Sequence, residues 1–127
     1  MKPRIISFLP AVAWLIFVVV LLVMPSEDIP QASIFDAIYF DKWVHAGLFG
    51  MLVLLWSFPF LRAGVISLKP FTAILILAIA FGVMMEFVQR AVGRDYDVND
   101  MIADGFGALI AWVWLVRRIQ VKKQKQA

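Results

Sequence analysis

Apolar residues in this chain come in long runs, not in alternation. Ile5 to Met24 is apolar apart from Ser7 and Pro10. A helix needs about 20 such residues to cross a bilayer, so this run predicts a first span over 5–24. Pro25 and Pro30 follow it, and proline lacks the N–H that a continuing helix needs. The same pattern returns over about 41–61, 70–92 and 98–119. Pro70 suits a first helical turn, and Gly93 is a stop signal. Residues 26–40 become an outer loop, whose IFDAIYF portion is expected to lie flat at the interface. The prediction is an all-α membrane protein with four transmembrane helices, folded as a single domain over 1–127. Lys2 and Arg4 ahead of the first run raise a signal peptide as the alternative. The apolar part is too long for that and no small-residue cleavage site follows, so an uncleaved span is expected.

Composition agrees. The chain is 63% hydrophobic and 17% charged, where soluble domains carry about 25% charged residues. It has no cysteine, which excludes disulfides, zinc–thiolate and iron–sulfur sites. A metal could draw only on His45 and carboxylates, and no resident cofactor or metal is expected.

Charge adds the orientation. Nine Lys and Arg residues fall at the two termini and the 62–69 loop, against three elsewhere: Lys42, Arg90 and Arg94. Basic residues stay cytoplasmic, so both termini are expected there. All nine acidic residues then fall on the outer side, five of them between Glu86 and Asp104.

Charges placed inside apolar spans cost about 2.5–3.5 kcal/mol each near the helix centre, so they face the bundle interior or pair. Asp41 and His45 are four apart and share a helical face. Asp41 is either a plain N-cap with His45 bonded to it, or it orients His45 as an acid/base group or ligand. Glu86 and Arg90 have the same spacing, with Gln89 beside them. They are a structural pair, or Glu86 is a buried functional carboxylate. Asp97 with Asp100 resembles a capping arrangement. Asp100 and Asp104 share a face and repel, so Arg94, Arg90, a proton or a cation must compensate them. Ala103, Gly107 and Ala111 form a row of small residues that lets another helix approach.

Together these residues resemble the VanZ-like family of small bacterial membrane proteins. The resemblance rests on Asp41-Lys42-x-x-His45, on Glu86-x-x-Gln89, on Arg94 with Asp100 six residues later, and on Gly107-Ala108. It covers roughly Asp41 to Ala111. Asp104 departs from it, since the family usually has asparagine there. Asparagine can donate to an anion, whereas ionised aspartate favours a cation. The resemblance implies a multi-pass protein of the bacterial cytoplasmic membrane with a cell-envelope role. Its founding member is associated with low-level resistance to the glycopeptide antibiotic teicoplanin.

Three functions are compatible with these residues. The first is binding of a lipid-linked or amphiphilic envelope ligand, a precursor or a glycopeptide, in an outer polar pocket. That pocket would be built from Asp41, Lys42, His45, Glu86, Gln89, Arg90, Arg94, Asp100 and Asp104. The second is an enzyme acting on a lipid headgroup or envelope polymer. His45 and Glu86 would be its catalytic acid/base candidates, with or without a divalent cation on Asp100, Asp104 and His45. The third is a proton- or cation-coupled transporter. Membrane lipids are the expected partners, with anionic lipid at the basic VKKQKQA tail. Nucleic acid is not expected, and a homo-oligomer is compatible with the sequence.

Overall fold

A computed structural model describes residues 2–24, 40–94 and 96–125. Of the expected interfacial segment IFDAIYF, residues 34–39 lie outside these residues, as does Asp95, while Phe40 opens a helix instead. The described residues are helical, with no strand. A 3-10 turn at Ile5–Phe8 leads into α1 (Leu9–Val23), followed by α2 (Phe40–Arg62), α3 (Lys69–Ala91) and α4 (Val98–Gln124). Three helical stretches, Ile5–Val23, α2 and α3, are long and apolar enough to cross a membrane. The fourth helix is 27 residues long, about 40 Å at 1.5 Å per residue. It is less apolar, because Asp100, Asp104, Arg117 and Arg118 lie within it, and its last turns absorb part of the basic tail.

The loops end the helices by recognisable chemistry. At Gly64 (φ 74°), Gly64 N–H bonds Leu61 O and Val65 N–H bonds Phe60 O. At Gly93 (φ 85°), Gly93 N–H bonds Arg90 O and Arg94 N–H bonds Gln89 O. Both are Schellman closures, which need a left-handed residue at that point. Asp97 starts α4 as its N-cap, accepting from Asn99 N–H at 2.8 Å.

The core lies along the seam of the four helices: Val18 and Leu22 of α1, Phe49 and Val53 of α2, Phe71 and Met85 of α3, and Ala108, Leu115 and Ile119 of α4. Apolar side chains such as Ile16, Val20, Leu77, Met84 and Ile110 remain exposed around the outside. An apolar exterior of this extent suits lipid and not water. The α2–α4 pairing is the most extensive, and Gly107 of the small-residue row makes it possible. A Cβ at Gly107 would stand 1.9 Å from Ala46 O, so only glycine lets the two backbones touch. Gly82 does similar work for α3, where a Cβ would meet Asp104 Oδ2 at 3.0 Å and Phe49 Cε1 at 3.1 Å.

Candidate functional site

Close backbone approach brings the polar ends of α2 and α4 together, and α3 packs against the Asp104 and Phe49 side chains beside them. Lys42, in the first turn of α2, is the hub. Its Nζ lies 2.5 Å from Asp97 Oδ2, 2.5 Å from Asp100 Oδ1 and 2.8 Å from Asp41 Oδ2. One turn deeper, His45 Nδ1 lies 2.9 Å from Asp104 Oδ1, both residues buried. Its Nε2 is 3.7 Å from Asp100 Oδ2, beyond hydrogen-bond range. From α3, the Glu86 carboxylate is 1% exposed, and its Oε2 accepts from Asp97 N–H at 3.2 Å. One ligand atom from each of His45, Glu86 and Asp100 lies within 4.8 Å of the others. Two buried carboxylate oxygens here, Glu86 Oε1 and Asp104 Oδ2, have no hydrogen-bond partner among the described residues.

The cluster differs from the pairings that spacing alone anticipates. Asp41 does not bond His45; it is exposed and its pair is Lys42, while the imidazole turns inward to α4. Glu86 does not pair with Arg90, because Glu86 faces the bundle and Arg90 is exposed. Asp100 and Asp104 do need compensation, and among the described residues it comes from Lys42 and His45 of α2, not from Arg90 or Arg94. The i, i+4 rule puts two residues on a shared face, yet His45, Glu86, Asp100 and Asp104 each take a partner from outside their own helix.

Gln89 and Arg94 serve another structure. Gln89 Nε2 donates to Leu22 O at 3.0 Å, and Arg94 donates to Leu22 O and Met24 O at 3.2 Å each. These are carbonyls at the end of α1, which a helix terminus leaves without partners. A cation there also complements the helix dipole. Asp97 was legible only as a cap. Its second and third tasks, holding Lys42 and donating its N–H to Glu86, join residues up to 55 positions apart, and no local signal marks them. The bond from Lys42 holds the Asp97 carboxyl below the usual aspartate range.

The opposite end of the bundle is basic. A groove of 710 Å³ there has apolar walls including Leu54, Phe58 and Leu115, and carries Arg62, Arg118 and Lys122.

Comparisons of the chain with protein-family models, with curated proteins and with solved structures return no match. The geometry of the acidic cluster and the motif residues therefore carry the functional reading.

Proposed function

We propose that the protein is a VanZ-like, four-span protein of the bacterial cytoplasmic membrane. In this reading its acidic end engages the polar headgroup of a lipid-linked or amphiphilic envelope ligand. α4 is the fourth span, since its length exceeds the roughly 30 Å hydrocarbon core. Both termini are cytoplasmic, because the Lys- and Arg-rich segments gather at one end. The VanZ-like assignment rests on the motif residues Asp41, Lys42, His45, Glu86, Gln89, Arg94, Asp100 and Gly107.

One observation carries the ligand reading. His45, Glu86, Asp100 and Asp104 converge from three helices at one end of an apolar bundle, and two of their oxygens are left without partners. Buried polar groups without partners are costly in a bundle of this kind, so a packing role alone does not account for them. The reading also extends to influence on teicoplanin susceptibility, through binding of the envelope precursor or of the glycopeptide itself. At the basic end, Arg62, Arg118 and Lys122 above an apolar groove suit an anionic lipid of the inner leaflet.

Native mass spectrometry of the protein in detergent, offered lipid-linked envelope precursor or teicoplanin, tests this. Wild-type protein is expected to retain the ligand, and Glu86→Gln and Asp100→Asn to lose most of it. Equal retention by all three would remove the acidic cluster from the ligand's path.

An enzyme acting on a lipid headgroup is the second reading. It is favoured by the approach of His45 and Glu86, an acid/base pair of different chemical types. Transport is disfavoured, because none of the described acidic residues lies in the basic half to continue a path across the bundle.

A further inference from the structure

His45, Asp100 and Glu86 share a feature that hydrogen bonding inside the bundle does not explain. Each has one polar atom pinned and the other left over. His45 Nδ1 is held by Asp104 Oδ1 at 2.9 Å, which leaves Nε2. Asp100 Oδ1 is held by Lys42 Nζ at 2.5 Å, which leaves Oδ2. Glu86 Oε2 is held by Asp97 N–H at 3.2 Å, which leaves Oε1, a buried atom with no partner among the described residues. The three residues come from three helices, and one ligand atom from each lies within 4.8 Å of the others.

We propose that His45 Nε2, Asp100 Oδ2 and Glu86 Oε1 form a site for one divalent transition-metal cation of the Mn²⁺ or Zn²⁺ class. This inference rests on the reading of the acidic cluster as a ligand site and names the ion that the cluster holds. The donor set is one imidazole and two carboxylates. That set suits zinc, manganese or ferrous iron, and not calcium or magnesium, which take oxygen donors. Two donors about 2.1 Å from a shared tetrahedral metal stand about 3.4 Å apart. The 3.7 Å between His45 Nε2 and Asp100 Oδ2 is near that separation and too long for a hydrogen bond.

The pinned atoms then read as the outer shell. A metal-bound histidine commonly gives its other N–H to a carboxylate, which fixes the tautomer and the ring plane. Asp104 does this for His45. Lys42 and the Asp97 N–H fix the two carboxylates in the same way. A cation would bring its charge to two carboxylates and engage Glu86 Oε1. Protein supplies three donors, so at least one coordination position stays open for water or for a phosphate or carboxylate oxygen of a headgroup.

Metal is measured with no envelope ligand present, so the outcome is separate from the binding test above. Purified full-length protein in detergent micelles is titrated with Mn²⁺, and free Mn²⁺ is followed by electron paramagnetic resonance. About one equivalent is expected to bind. Asp104→Asn, which changes only the histidine's partner, is expected to weaken binding by about 10–100-fold, and His45→Gln by more. Thermal melts of the metal-free proteins check that each variant is folded. His45 is the sole histidine, which gives a readout independent of any variant. Zn²⁺ should shift the ¹⁵N resonance of Nε2 while Nδ1 keeps its proton. Absence of binding, or binding that leaves the His45 resonances unmoved, overturns the site.

Discussion

Gly107 of α4 lies against the carbonyl of Ala46 in α2, so close that an added Cβ would stand 1.9 Å from Ala46 O. This contact fixes the register of the two helices that bear Lys42, His45, Asp100 and Asp104. Gly107→Ala must push the backbones apart. Overpacking of this kind costs about 1–3 kcal/mol, and more is expected where the obstacle is backbone. Gly105→Ala meets nothing within 4 Å and should be neutral or stabilising by up to about 1 kcal/mol. Denaturation of both variants in detergent checks the contrast.

The His45–Asp104 pair is buried at both ends. His45→Ala leaves an unpaired buried carboxylate, and breaking such a pair costs about 3–5 kcal/mol. His45→Leu combined with Asp104→Leu should recover most of that loss, because neither charge remains. A double-mutant cycle on unfolding free energies measures the coupling. A double-variant cost equal to the sum of the two single-leucine costs would show the pair to be inert.

Arg94 and Gln89 tie the end of α1 to α3. Arg94→Ala removes the donor to Leu22 O and Met24 O, a loss of about 1.5–3 kcal/mol for a charged hydrogen bond. Hydrogen exchange should quicken in the last turn of α1 while α4 stays protected. Metal binding should be little changed, because neither residue reaches His45, Glu86 or Asp100.

Asp97 gives the acid limb of stability. Its folded value lies below the ordinary aspartate value, chiefly through Lys42. Its contribution is therefore complete above the unfolded value of about 3.9 and is lost as pH falls through the lower folded value. Asp97 is about a third exposed, so solvent screens part of the effect. Asp97→Asn should flatten the fall in stability below about pH 4 and leave its neighbours' behaviour near neutrality unchanged. A melting series from acid to neutral pH reads this directly.

Much of the architecture was legible as run length. Expected spans at 5–24, 41–61 and 70–92 match Ile5–Val23, Phe40–Arg62 and Lys69–Ala91 within a residue or so at each end. α4 begins at Val98 as expected and runs beyond 119 to Gln124, because lysine and glutamine are good helix formers. Gly93 and Asp97 were readable as stop and cap, since left-handed backbone and an N-cap oxygen each demand few residue types. The candidate site was legible as a set and not as a wiring. Asp41 and Arg90 were expected within it and stand exposed. Gln89 and Arg94 were expected to face a ligand and instead close α1.

The sequence by itself determined where the helices are and which end is acidic. Bilayer thickness converts a count of apolar residues into a span, and a charge inside such a run is visible in one dimension. Only the tertiary structure decided which side chain answers which. Lys42 finds Asp97 and Asp100, and His45 finds Asp104, because Gly107 lets the α2 and α4 backbones touch and Gly82 lets α3 pack directly on the Asp104 and Phe49 side chains. Helical spacing puts residues on a common face, but the partner on the opposite wall depends on axial offset and rotation between helices. Those are properties of the packed bundle and of no single stretch of chain.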